Sequence, residues 1–209
     1  MQQLYYGTDQ FAVTEFEKRK VIDEINLSMS AFNCVFADDE AIYCSSELTT
    51  GKQLYKVLQK HGVRSREELQ EKLGAEEFKR VKKELFDSNV ARGVQFAEEL
   101  RKRGLVNVVT PGPYYAPDFT QQHYLYLWEV FIKEKAYEVR FSYDWQYSNG
   151  CTFEYAVAAR KGIPRLDHEG NSIELATAIE KVEAAVDELN GAGFLIPILQ
   201  YNLELLKAI

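Results

Sequence analysis

Apolar positions along the chain fall into two rhythms. Between residues 14 and 31, Val21, Ile22, Ile25 and Met29 recur at three- to four-residue spacing with Glu and Lys between them, the mark of an amphipathic helix. Ala41-Ile42-Tyr43-Cys44 is instead a short unbroken apolar run. It follows the polar Asp38-Asp39-Glu40, precedes a loop of small and polar residues at 45–52, and reads as a buried strand. Ser65-Arg66-Glu67-Glu68 has the form of a capping box, with Ser65 accepting from the amide of Glu68 and Glu68 reaching back. Residues 65–86 are dense in Glu and Lys at i,i+4 and are divided by Gly74, which predicts two short solvated helices. A separate helix is expected from about Ser88 to Lys102, with Val90, Val94, Phe96, Ala97 and Leu100 on its apolar face and Gly104 closing it.

Leu105-Val106-Asn107-Val108-Val109 reads as the next strand, stopped by Thr110-Pro111-Gly112-Pro113. A helix over 120–135, a strand over 137–141 and a helix over 151–161 closed by Gly162 follow. Ile163-Pro164-Arg165-Leu166 suits an edge strand, because Pro cannot donate to a ladder. Helices over 172–190 and 198–209 complete the chain. Strand–helix alternation from 41 to 190 predicts an α/β fold: a parallel sheet of four or five strands flanked by helices. The chain reads as one domain, 1–209, with 60–87 as a helical insertion. That insertion is either a solvated decoration, the reading its charge pairs favour, or a lid. In open parallel sheets ligands sit beyond the carboxyl ends of the strands, which selects the loops 45–52, 110–119 and 142–151.

Composition narrows the function. The 209 residues carry a net charge of −7, so non-specific nucleic-acid binding has no electrostatic footprint here. No apolar stretch approaches bilayer length, and the N-terminus has neither a basic start nor an apolar core, so no membrane span and no secretory leader are expected. Three widely spaced cysteines, Cys34, Cys44 and Cys151, suit reduced thiols in the cytoplasm. The histidines are scattered, so neither a metal nor another cofactor is expected. Phosphate-loop, dinucleotide-fingerprint and nucleophile-elbow motifs do not occur.

The segment richest in chemistry is 141–159. A strand leads through Ser142-Tyr143-Asp144-Trp145-Gln146-Tyr147 into a helix whose first nine residues, from Cys151, hold one charge, Glu154. Its helical neighbours Cys151, Val157 and Ala158 are apolar, so Glu154 does not sit on a solvated face. Burial raises such a carboxyl's pKa and the helix N-terminus lowers it. An ionised, partly dry carboxylate there is a nucleophile toward a sugar carbon; the alternative is that it only complements the helix dipole. Ser148 and Gly150 read either as an ordinary N-cap and turn glycine or as a phosphate cradle at the helix N-terminus.

Ser148-x-Gly150-x-x-x-Glu154-x-x-x-Ala158, between a strand and Gly162-Ile163-Pro164, resembles the nucleoside 2-deoxyribosyltransferase and nucleoside 5′-monophosphate N-glycosidase superfamily. Tyr43-Cys44-Ser45-Ser46 with Thr50-Gly51, and Ala97-x-x-Leu100-x-x-x-Gly104-x-x-Asn107-Val108-Val109-x-Pro111, resemble its first strand, ligand loop, first helix and second strand, so the likeness covers about 41–167. The resemblance implies a flavodoxin-like (Rossmann-like) fold and cleavage of an N-glycosidic bond in a nucleotide or nucleoside, with Glu154 attacking C1′. It implies phosphate contacts from Ser148, Ser45, Ser46 and Thr50 beside Gly51 and Gly150, a sugar contact from Tyr43, and a homo-oligomer. Leu195, Ile196, Leu199, Leu203 and Leu206 are the expected oligomer surface.

The family's helical Asp before the third strand has no counterpart in Gln121 to Lys135. Asp144, on the loop, is the candidate acid instead. Trp145, Tyr114 and Tyr115 are candidates for stacking on a base, and Lys52, Arg140 and Arg165 for meeting a phosphate. Two other readings stay open: a nucleotide-binding sensor or adaptor without catalysis, and an NAD-type glycohydrolase, which would need a longer groove.

Overall fold

A computed structural model describes residues 15–38, 40–116 and 119–209. The N-terminal segment read as lacking a secretory leader lies outside the described residues. The elements run α1 (Glu15–Val35), β1 (Ala41–Ser45), α2 (Lys52–Lys60), α3 (Arg66–Leu73), α4 (Ala75–Lys102), β2 (Val108–Val109), α5 (Gln121–Lys135), β3 (Ala136–Phe141), a 3-10 turn (Trp145–Tyr147), α6 (Asn149–Lys161), β4 (Arg165–Leu166), α7 (Leu175–Gly191) and α8 (Pro197–Lys207).

The four strands form one sheet in the order β2-β1-β3-β4, and every pairing is parallel. With helices on both faces this is a flavodoxin-like, Rossmann-like α/β fold. The chain leaves β1 outward to β2, then returns past β1 to β3. The carboxyl ends of β1 and β3 therefore flank the point where the strand order reverses, and a crevice opens there.

Side chains alternate along β1, and that alternation builds two cores. Ile42 and Cys44 meet Phe96, Ala97 and Leu100 of α4 and Val108 of β2 on one face. Ala41 and Tyr43 face the larger core, which holds Trp128, Phe131 and Ile132 of α5 and Tyr155 and Ala158 of α6. Ser45, two residues beyond Tyr43, shares that second face.

Three elements differ from the pattern-based expectation. Residues 75–102 make one continuous helix, so the expected break near Ser88 is absent. Arg80 to Glu84 (2.8 Å) and Lys83 to Asp87 stitch it through the polar stretch, and Asn89 donates to the Leu48 carbonyl at 2.8 Å rather than capping a helix. β2 shrinks to two residues because Asn107 takes a left-handed conformation (φ 56°) that ends the extended run. Ser65 does cap α3, accepting from Glu68 N at 3.2 Å, but the Glu68 carboxylate returns to Arg64 N (2.8 Å) and its guanidinium rather than to Ser65.

The C-terminal helices turn their apolar stripe inward. Ile196, Leu199, Leu203 and Leu206 are buried in the chain's own core, and of the five residues expected to form an oligomer surface only Leu195 is exposed. No helix among the described residues is long and apolar enough to cross a membrane.

Candidate active site

Glu154 stands one turn into α6, and its residue is only 6% exposed. Tyr43 Oη donates to its Oε1 at 2.8 Å, and Ser45 Oγ donates to its Oε2 at 2.6 Å. The period-two rhythm of β1 is what brings both hydroxyls to one carboxylate. Burial pushes the Glu154 pKa up to about 7; the hydrogen bonds from Ser45 and Tyr43 pull the other way and only partly offset it. Tyr43 is pushed well above its ordinary value by burial and by the adjacent carboxylate, so it stays a donor.

The carboxylate borders a cavity of about 360 Å³ at the carboxyl ends of the strands. Ser46, Thr50, Ser148 and Gly150 line it with Glu154. Ser148 caps α6, accepting from Cys151 N at 3.4 Å. Thr50 Oγ1 accepts from Asn149 N at 3.0 Å and lies 3.5 Å from Ser148 Oγ, tying the loop after β1 to the start of α6. At Gly150 the wall is bare backbone: an added Cβ would meet nothing nearer than Ser148 Oγ at 3.9 Å. Ser46 lines the cavity, but its Oγ is buried toward Gly93 of α4, without a hydrogen-bond partner among the described residues.

The opposite wall is aromatic, with Tyr114, Tyr115, Phe119, Tyr124 and Trp128. Tyr114 and Tyr115, candidates for stacking, are thus at the cavity. Trp128 packs its ring against Phe131 and Tyr43 in the core and also lines the cavity. Leu48, Thr49, Pro111, Gly112 and Gln121 complete much of the remaining surface.

Several expected site residues lie elsewhere. Asp144 adopts a left-handed conformation (φ 61°), lies 3.4 Å from Lys52 Nζ and does not line the cavity. Trp145, turned inward by the 3-10 turn, stacks on Tyr155 with ring centres 5.2 Å apart and 11° between planes. Gly51 does not reach the cavity either. It holds φ at 123° as the residue preceding α2, where a Cβ would fall 2.3 Å from the Glu47 carboxyl carbon. Lys52 sits over the Tyr147 ring, Arg140 pairs with Glu138, and Arg165 lies against Tyr155, so none of the three cations named from sequence lines the cavity.

Two cations that sequence reading passed over do line it: Arg66 at the start of α3 and Lys82 on α4. Both belong to the helical insertion, which therefore contributes a wall of the site. Their signal in the sequence is lost among neighbouring Arg and Lys at similar spacing. His123, on the helix where the resembling family keeps an Asp, accepts from Thr120 N at 3.1 Å and serves the start of α5. Among the described residues no group of three or more His, Cys, Asp or Glu is placed to hold a metal ion. Comparison with family models, with curated proteins and with solved structures finds no match to this chain.

Proposed function

We propose that this protein cleaves the N-glycosidic bond of a nucleotide, with Glu154 as the nucleophile. The observation that carries this reading is a buried carboxylate, held by two hydroxyl donors, that opens onto a cavity lined in part by aromatic residues. The likeness of 41–167 to the nucleoside deoxyribosyltransferase and nucleoside 5′-monophosphate N-glycosidase superfamily adds to it.

Each part has a chemical task. The aromatic wall stacks the base. Thr50, Ser148 and the backbone at Gly150 meet sugar hydroxyls and phosphate oxygens. Tyr43 and Ser45 fix the carboxylate and favour its ionised form. Glu154 attacks C1′, the C1′–N bond breaks, and its electron pair leaves with the base. Water then attacks C1′, the ester bond from C1′ to the Glu154 oxygen breaks and returns its electron pair to the carboxylate, and the proton released by the water goes to the departed base. The products are free base and sugar phosphate. The three unpaired cysteines suit a reducing compartment, and we read the protein as cytoplasmic.

The test is a panel of nucleosides and nucleotides incubated with wild-type protein and Glu154→Ala, with free base quantified by chromatography. Base released by wild type alone is the expected result. Ligand-induced thermal stabilisation with no base released from any member would replace the enzyme by a nucleotide sensor.

A further inference from the structure

The cavity beside Glu154 is not isolated. A second cavity of about 310 Å³, under α2, α3 and the N-terminal half of α4, shares Leu48, Thr49, Arg66, Lys82 and Phe86 with it. The second cavity is walled mainly by Leu54, Val57, Leu69, Phe78, Val81 and Leu85. Each space is at the lower end of the roughly 300–1,000 Å³ of small-molecule sites, and the five shared residues make them neighbours.

The junction is cationic. Arg64 pairs with Glu68, Arg80 with Glu77 and Glu84, and Lys83 with Asp87, whereas Lys60, Lys72 and Lys79 have no ion pair among the described residues. Arg66 and Lys82 have no ion-pair partner among the described residues, and both face the junction. Two unneutralised cations between two cavities fit a doubly charged linker such as a diphosphate.

Leaving-group chemistry narrows the other end. Among the described residues lining the cavity, Glu154 is the sole carboxyl and there is no imidazole, which leaves only the weaker tyrosine and lysine acids to protonate a departing base. A positively charged pyridinium base needs none: the electron pair of the broken C1′–N bond neutralises it. Tyr114 and Trp128 line the cavity, and aromatic rings are favourable neighbours for such a cation.

We propose that the site takes a dinucleotide with a pyridinium base, placing that base and its ribose beside Glu154, the diphosphate between Arg66 and Lys82, and the second nucleoside in the apolar cavity beneath α3 and α4. This rests on the glycosidase reading and names its substrate class. The step balances with water alone: dinucleotide plus water gives neutral pyridine base, the remaining nucleoside diphosphate ribose and one proton.

NAD⁺ and nicotinamide mononucleotide share the scissile bond and differ in the second half, so nicotinamide release from each is the test. The expected kcat/KM favours NAD⁺ at least tenfold. Arg66→Ala with Lys82→Ala, both changes near the surface, lowers kcat/KM on NAD⁺ at least tenfold, mainly through KM. Val81→Trp, which fills the second cavity, brings the ratio of kcat/KM on NAD⁺ to that on the mononucleotide down to about one. Calorimetry on Glu154→Gln repeats the comparison as affinity, without turnover. Equal values for the two probes, a preference that survives Val81→Trp, or cleavage confined to purine and pyrimidine nucleotides overturns the dinucleotide proposal and leaves the glycosidase standing. No base from any nucleotide overturns the glycosidase reading and this proposal with it.

Discussion

Tyr43 Oη and Glu154 Oε1 meet at 2.8 Å, joining the middle of β1 to the first turns of α6, and Ser45 completes the clamp on Oε2 at 2.6 Å. The carboxylate is caught between opposing effects. Burial favours the neutral acid and the two donors favour the anion; burial wins, which puts the pKa at about 7.

A pH dependence follows with a definite sign. The nucleophile is the ionised form, so kcat/KM is low in acid and rises to a plateau above an acid limb near pH 7. Ser45→Ala removes a donor that favours the anion, and the limb moves to higher pH. A pH–rate profile of wild type and variant checks both; a limb that stays put or moves down contradicts this assignment.

The same carboxyl ties stability to pH. Its folded pKa of about 7 stands above an unfolded value near 4.3, so between them the native state holds the extra proton. Stability from this group is full below about pH 4.3 and is lost as pH rises through 7, by about 4 kcal/mol at one pKa unit per 1.36 kcal/mol. Glu154→Gln keeps a hydrogen-bonding side chain there without the charge. Thermal or urea unfolding at pH 8 is expected to show the Gln variant more stable than wild type, with the advantage shrinking toward pH 5. Equal stability at both pH values would mean that the carboxylate is not dehydrated.

Gly51 acts through the backbone. At φ 123° a side chain is strained, and a Cβ would lie 2.3 Å from the Glu47 carboxyl carbon, whose Oε1 accepts from Lys52 N at 3.0 Å. Gly51→Ala is expected to cost about 1–3 kcal/mol in urea unfolding and to lower activity by disturbing the adjacent Thr50. Unchanged stability would show that the loop accommodates the side chain.

The fold and half of the site were legible in the sequence for identifiable reasons. The unbroken run Ala41–Cys44 and the turn into a helix with a single charge are local signals, and they located β1 and Glu154. Tyr43 and Ser45, the expected sugar and phosphate contacts, are instead turned by strand alternation onto Glu154, and neither lines the cavity. Trp145 misled because a 3-10 turn, whose sequence signal is weak, swings it onto Tyr155. Ser88 misled because a polar residue inside a long helix looks like a cap until its neighbours' ion pairs are seen. Arg66 and Lys82 were hidden because charged residues on a solvated helix look alike, and only the packing of α3 and α4 over the cavity separates them. The apolar stripe of α8 carries no label saying whether it meets another copy or its own α6 and α7; it meets the latter.

The most direct measurement is the rate of base release by wild type and by Glu154→Gln on the best nucleotide of the panel, at pH 8, with ligand affinity determined alongside. Loss of the nucleophile is expected to reduce kcat by at least roughly a thousandfold while affinity changes by less than about tenfold. Base release by the Gln variant within tenfold of wild type would contradict a glycosidase built on Glu154.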